Sequence, residues 1–291
     1  MIDSNTISNL EKILKNKKIT NSKLLSNSFN INCIKIITSE DEKYIVKYYN
    51  EEKYNFNAII SERDNLSYLN SLGINLFPTI YSNDKKYLIM SFIDNNDVQP
   101  EKTNNDLIKA MISLHENTNH VYGFDFDTQI GGLKLINKKA NNWVDFFREN
   151  RLGYIYQLIN NSNKMNKLIN KKIELLLNNL ENYIPKKPKS SLLHGDMWEG
   201  NILFNDKKLV GLIDPGSFYG HNELEIAYLR WFNPKFISDD FLDKYNEFIK
   251  IDSHYKDYEP IYQLYYSLLN VYLWDRSYVD DVYRLLKKIK I

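Results

Sequence analysis

The sequence predicts an α+β chain in two parts, a small antiparallel sheet carrying one long helix, followed by a larger and mainly helical region. Three observations lead there. Short alternating runs of β-branched and aromatic residues fill much of the first ninety or so positions. One helical stretch interrupts them. Beyond Ile93-Asp94-Asn95-Asn96-Asp97 the strand signals thin out, and apolar residues recur at helical spacing instead.

From Ile34 to Tyr49 the chain reads IKIITSEDEKYIVKYY, two strand-type runs around a polar turn, which predicts a hairpin. A helix is expected over Asn55 to Leu72, closed by Gly73 at a position suited to a left-handed cap. Pro78 then opens a second hairpin-like pair, FPTIYS and YLIMSFI, around Asn83-Asp84-Lys85. In the second part only NILF and KLVGLID read as strands. No internal repeat and no Pro- or Ser-rich linker is visible, so the expected division is 1–92 and 93–291, joined by a short hinge near 92–97.

Bulk properties narrow the function classes. The 38 basic and 37 acidic residues nearly cancel, leaving no global field of the kind a nucleic-acid binder carries. A single cysteine, Cys33, excludes an internal disulfide and a Cys-rich zinc site, and fits a reducing cytoplasm. The N-terminal MIDSNTISNLEKILKNKK lacks a signal-peptide pattern, and no apolar run approaches the ~20 residues of a membrane span. A soluble cytoplasmic protein, with neither nucleic acid nor membrane as partner, is the expectation. Aromatic residues at 14% argue for packed cores even where Asn-rich stretches suggest disorder.

The segment SLLHGDMWEGNILFNDKKLVGLIDPGSFYG, residues 191–220, carries the chemistry. Asp196 and Asn201 flank a turn five residues apart, and Asp214 follows a strand eighteen residues after Asp196. Each alone would be an ordinary turn residue. Together they are what phosphoryl transfer needs: a carboxylate to accept the proton of an attacking hydroxyl, and an amide with a second carboxylate to hold magnesium against a triphosphate. His194-Gly195-Asp196 stands where protein kinases have H-R-D, and Ile213-Asp214-Pro215 where they have D-F-G. Asp196 is thus the expected base, Asn201 and Asp214 the expected Mg2+ ligands, and His194 a scaffold for the loop backbone.

A kinase also needs a cation on the phosphates of ATP. Lys47 in YIVKYY fills that role, with Glu62 on the following helix to hold it, although Glu51 and Glu52 are alternative partners. Arg63 is expected at the surface. The stretch SNSFNINCIKI has no glycine, so Asn27, Asn30 or Asn32 would have to supply left-handed turns in a phosphate-covering loop. Adenine is expected against Met90, Ser91, Phe92 and Ile93, with hinge backbone facing the base and Met90 lining the pocket.

HGDMWEGNILF and GLIDPGSFYGHNELEIAYLRWF resemble the fructosamine (ketosamine-3-) kinase family, within the aminoglycoside-phosphotransferase-like group. YGFDFDTQIGG, NNWVDFFRENRLGYIYQL and YEPIYQLYYSLLNVYLW are similar to further segments of that family, so the resemblance runs from about Asn30 onward. It implies the two-lobed protein-kinase-like fold, with 1–92 as the nucleotide-binding lobe and 93–291 as the catalytic and acceptor-binding lobe. It implies ATP and Mg2+ as cofactors, with Asp196, Asn201, Asp214, Lys47 and Glu62 in the roles above. Trp198 would lie beside the acceptor sugar, where an indole face can stack on a ring. Trp143, Phe146 and Phe147 are packing residues, Glu225 is a brace for the catalytic loop, and His221 is a surface residue. Gly132, Asn141, Asn142 and Glu259 depart from the family pattern, which bears on sugar specificity.

The function implied is ATP-dependent phosphorylation of a hydroxyl on a ketosamine, a fructosamine or ribulosamine adduct of a small amine or protein side chain. In that family the phosphorylated product breaks down and frees the amine, a deglycation repair. An aminoglycoside- or choline-type kinase is the alternative within the class. A nucleotide-binding pseudokinase, suggested by the glycine-free loop, is the alternative outside it.

Overall fold

The computed structural model of the protein describes residues 3–51, 53–82, 84–162 and 165–289. In chain order the elements are α1 (Ser4–Ile13), β1 (Ile19–Ser28), β2 (Ile31–Thr38), β3 (Lys43–Tyr49), α2 (Ala58–Ser71), β4 (Leu88–Ser91), α3 (Asn105–His115), β5 (Thr118–Asn119), β6 (Thr128–Ile130) and β7 (Leu133–Leu135). There follow α4 (Trp143–Phe147), α5 (Gly153–Asn161), α6 (Lys167–Asn178), β8 (Ser190–Leu193), β9 (Ile202–Asn205), β10 (Lys208–Leu212), β11 (Phe218–His221), α7 (Asn222–Phe232), α8 (Phe241–Asn246), α9 (Tyr255–Leu273) and α10 (Val279–Lys288).

Two compact units result, one of Met1–Val98, Thr128–Lys134 and Leu203–Pro215, the other of Gln99–Asp127, Leu135–Ile202 and Gly216–Ile291. The first unit thus runs past residue 92 and takes in two later segments. Backbone pairing recruits the second of these: Lys207 N–H donates to Val98 O at 2.9 Å and Leu212 N–H to Leu76 O at 2.8 Å.

In the first unit β1, β2, β3 and β4 lie side by side in an antiparallel sheet. Alternation along each strand sends Ile34, Ile36, Tyr44 and Val46 to one face, where Leu10 and Leu14 cover them together with Tyr87 and Ile89. α1 holds its place through that apolar stripe and through Asp3, whose Oδ1 accepts the Thr6 N–H at 2.9 Å. α2 begins at Ala58, later than the sequence suggests, because Asn57 caps it by accepting the Ile60 N–H. It stops before Gly73, which takes φ +74°.

β1 belongs to a hairpin with β2, and the two residues between them, Phe29 and Asn30, have φ of +53° and +64°. That is the left-handed pair a two-residue turn requires. Asn30 therefore takes the left-handed conformation expected of it, whereas Asn27 and Asn32 lie opposite each other in the strands. Phe29 sits in a conformation glycine adopts more readily, and it rests on Gly132: a Cβ added there would meet the Phe29 Cβ at 3.1 Å. Of the pair expected over 77–93, only β4 is a strand; the other arm touches it through Ile80 opposite Met90. Asn83 of the expected turn lies outside the described residues.

In the second unit β8 lies between β11 and β5, and helices make up most of the rest. α4, a π-helical turn (Arg148–Leu152) and α5 follow one another without a break. Trp143, Phe146 and Phe147 on this stretch are fully buried, Trp143 and Phe147 against Tyr262 of α9, Phe147 also against Tyr265, and Phe146 against Phe218 of β11. No helix among the described residues is long and apolar enough to cross a membrane.

Candidate active site

Lys47 and Val46 point to opposite faces of β3, so the pattern that buries Val46 under α1 turns Lys47 the other way. Its Nζ lies 2.7 Å from Glu62 Oε1 and 2.7 Å from Asp214 Oδ1. Glu62 is the partner chosen among the acidic residues near in sequence; Glu51 pairs with Lys53, and Glu52 lies outside the described residues. Burial disfavours the lysine charge, yet the two carboxylates outweigh it and hold the pKa of Lys47 above the ordinary lysine value. Burial and the nearby Asp214 push Glu62 upward, opposed by Lys47.

Asp214 keeps 38% of its side chain exposed and takes φ +55°, a strained backbone of the kind found at functional positions. With all three groups ionised the triad has one positive and two negative charges, so a cation beside Asp214 would be favoured. Among the described residues no group of three His, Cys, Asp or Glu could form a metal cage. The donors available are hard oxygens few in number, which suits magnesium, an ion that keeps waters and takes nucleotide oxygens as ligands.

At the expected adenine site Met90 is buried in β4 opposite Ile45. Ser91 N–H donates to Thr79 O at 2.8 Å and Phe92 N–H to Lys43 O at 3.3 Å, so both amides serve the sheet. The Phe92 ring carries the Lys35 ammonium 3.5 Å above its centre. The Ile93 side chain covers Gly211, where a Cβ would come within 2.5 Å of Ile93 Cδ1.

The second unit gathers the other candidates. Asp196 follows β8 and is 8% exposed. Gly195 before it takes φ +87°, and a Cβ there would lie 2.1 Å from Gly216 O, so only glycine fits this turn. His194 acts as a scaffold: its Nδ1 accepts the Asp196 N–H at 3.3 Å, and its carbonyl accepts the Gly216 N–H at 2.9 Å. Asn201 Nδ2 donates to Asp196 O at 2.9 Å and to Asp196 Oδ2 at 3.0 Å, which turns its amide oxygen away, in the sense a metal ligand needs. Trp198 is 37% exposed, with its ring over Gly200 and its centroid 5.6 Å from that of Phe232.

Glu225 is fully buried, and its Oε1 accepts the Gly195 N–H at 2.7 Å while Oε2 accepts the His194 N–H at 3.2 Å. His115, at the end of α3, adds a bond from Nε2 to the same Oε2 at 3.0 Å. The tautomer follows from its neighbours. Asn222 Nδ2 donates to the Tyr245 hydroxyl, whose own hydrogen then goes to His115 Nδ1, leaving the hydrogen on Nε2 for Glu225. His115, Asn222 and Tyr245 escape sequence reading because a histidine closing a helix looks like a favourable C-terminal residue and nothing more.

His221 corrects the surface expectation: it is 4% exposed. The Trp143 Nε1–H donates to the Tyr262 hydroxyl at 2.8 Å, and that hydroxyl lies 2.8 Å from His221 Nδ1. Its place at the start of α7 beneath this aromatic cluster is set by residues far away in sequence. Burial pushes its pKa down to about 3. Nearby, burial pushes Glu223 up to about 7, against the Tyr258 hydroxyl and Asp252 amide that donate to it. A carboxyl whose folded-state value lies above its unfolded one stabilises the fold fully below about pH 4.5, and that contribution is lost as pH rises through about 7. We expect the unfolding midpoint of the protein to drop across that upper range and Glu223→Gln to flatten the drop; an identical slope in the variant would exclude Glu223 as its source.

Asn142, one of the departures from the family pattern, caps α4 by accepting the Val144 N–H. Glu259, another, accepts from Arg230 Nε at 2.6 Å.

The fructosamine kinase family model matches residues 3–291. A protein of Enterococcus faecium named "Probable ketoamine kinase" is 34% identical over 206 residues, 69% of this chain and 71% of that protein. The chloroplastic protein-ribulosamine 3-kinase of Arabidopsis thaliana is 28% identical over 210 residues, 69% of this chain and 63% of that one. Among solved structures, a candidate fructosamine-3-kinase of Thermobifida fusca superposes with a TM-score of 0.86 at 20% identity, covering 100% of this chain and 99% of that one. A gentamicin complex of APH(2″)-IIa does so with a TM-score of 0.65 at 16% identity, covering 100% and 96%. These likenesses place the fold in the α+β protein-kinase-like class. With the family pattern met from the third residue to the last, the chain belongs to the fructosamine kinase family.

Proposed function

We infer that this protein is an ATP-dependent kinase that phosphorylates a hydroxyl of a ketosamine, a fructosamine or ribulosamine adduct on a small amine or a protein side chain. The observation that carries the reading is the buried Lys47, held between Glu62 and Asp214 at 2.7 Å from each. A lysine kept charged inside a protein by two carboxylates is a preorganised anchor for phosphate oxygens. Family membership and the ketoamine and ribulosamine kinase relatives support the acceptor class.

In this reading Lys47 binds the ATP phosphates, Glu62 fixes Lys47, and the segment Met90–Ile93 takes the adenine. Asn201 and Asp214 hold Mg2+, which when bound neutralises charge on the triphosphate. Asp196 accepts the proton of the acceptor hydroxyl as its oxygen bonds to the γ-phosphorus and the bond to the ADP oxygen breaks. Trp198, with part of its indole open, stacks on the sugar. Breakdown of the phosphorylated adduct would free the amine, which makes the role deglycation repair, and a chain with one cysteine suits the reducing cytoplasm where it would operate.

ATP consumption with a fructosyl-lysine peptide, an aminoglycoside and choline tests the acceptor. Turnover is expected with the ketosamine alone. Turnover confined to the aminoglycoside or choline would replace the proposed acceptor, and none with any would remove the kinase reading.

A further inference from the structure

The carboxylate of Asp196 is held from two sides. Asn201 Nδ2 donates to Oδ2 at 3.0 Å, and the hydroxyl of Tyr228 donates to Oδ1 at 3.3 Å. Tyr228 stands three residues after Glu225 on α7, and residues at that spacing share a helix face. One face of one helix therefore grips both the backbone of His194 and Gly195, through Glu225, and the side chain of Asp196, through Tyr228.

The tyrosine has little freedom of its own. Its ring lies flat on Tyr266 of α9, with centroids 3.6 Å apart and 8° between the planes, and the edge of Phe232 closes in at 5.2 Å. A phenol has one hydrogen, and Asp196 Oδ1 is the acceptor that it meets. Burial and the neighbouring carboxylate keep the phenol protonated well beyond the ordinary range. The terminal torsion of an aspartate is broad and poorly defined when left alone. A hydrogen bond on each oxygen is what gives it one orientation.

We propose that Tyr228 is a positioning residue for phosphoryl transfer, fixing the rotation of the Asp196 carboxylate so that its remaining lone pairs meet the acceptor hydroxyl in one geometry. The proposal rests on the reading of Asp196 as the base. The reaction is unchanged: the proton passes from the acceptor hydroxyl to Asp196, and Tyr228 keeps its own. Neither charge nor metal is altered by removing the phenol oxygen, so the loss should appear in kcat and leave nucleotide binding alone.

Tyr228→Phe retains the stacked ring and removes the bond. It is expected to lower kcat about tenfold, the scale on which small misplacement of a reacting group acts, with ATP affinity and unfolding midpoint at the parent values. Tyr265→Phe is the control, because it removes a buried hydroxyl, on α9, that has no hydrogen-bond partner among the described residues, and it should turn over like the parent. In an Asp196→Ala background Tyr228→Phe should add no further loss, since the hydroxyl then has nothing to orient. Parent-like kcat in Tyr228→Phe, or an equal loss in Tyr265→Phe, would overturn the positioning role. If Tyr228→Phe were too unstable to assay at the parent's temperature, a fall in ATP affinity alongside kcat at a lower temperature would assign it to packing and overturn the role as well. Full turnover by Asp196→Ala would instead defeat the base assignment, so the two failures are told apart.

Discussion

Asp196→Ala is expected to leave only a small residual turnover while the protein still binds ATP with parent affinity. The side chain removed accepts from Asn201 and Tyr228, whereas the groups proposed to anchor the nucleotide are Lys47 and Glu62. Loss of a general base costs roughly 10²–10⁴-fold in rate. Because the base acts on the acceptor hydroxyl only as the reaction proceeds, the loss falls on kcat, and acceptor KM changes little. Initial rates of ADP formation at saturating acceptor, paired with nucleotide binding by calorimetry, separate the two quantities. A variant that kept near-parent rates would show that another group takes the proton. One that lost ATP affinity in parallel would mean that Asp196 serves the nucleotide.

Glu225→Gln should produce the largest loss of stability among single conservative changes in the second unit. The carboxylate receives three donors: the amides of His194 and Gly195 and Nε2–H of His115. Burial opposes its charge, but the hydrogen bond from His115 and that from the Gly195 backbone hold its pKa below the ordinary glutamate value. Glutamine has the same shape with one acceptor oxygen in place of two, so its amide hydrogens meet at least one of those donors head-on. A buried donor left without its acceptor costs about 1–3 kcal/mol, more where a charged acceptor is lost. The unfolding midpoint in denaturant is expected to fall accordingly, and turnover with it, because the loop that carries Asp196 loses its backbone anchors. Unchanged stability would mean that the loop is held chiefly by the Gly216 bond to His194 O. The linkage sign is that of a depressed carboxyl: its contribution is present above about pH 4.5 and is lost as pH falls through the lower folded-state value, so the variant should also show a flatter acid limb of stability.

Much of the site was legible from residue types and short spacings. The pairing expected between Lys47 and Glu62 is present, and the strands β9 and β10 lie where NILF and KLVGLID suggest. Such features are local. A strand–turn–strand pattern or a glycine forced into a left-handed turn leaves its mark within a few residues. β1 left none: ITNSKLLSNS has hardly a buried position and no alternation, and it is a strand because β2 offers it an edge to pair with. The expected phosphate-covering loop lies in SNSFNINCIKI, residues 26–36, where the structure has a tight hairpin turned by Phe29 and Asn30.

His221 and Tyr228 show the same limit for side chains. Composition, strand alternation, helix caps and the acid–amide–acid motif were enough to establish the α+β class, the family and the chemistry to look for. Which groups hold Asp196 was settled by contacts with partners 5 and 32 residues away; the loop before it is held by Glu225, 30 residues from Gly195, and Glu225 in turn by His115, 110 residues from it. A side chain's identity says what bonds it can make. Burial, and the requirement that each buried donor find an acceptor, decides which it does make, and both arise only when distant segments pack.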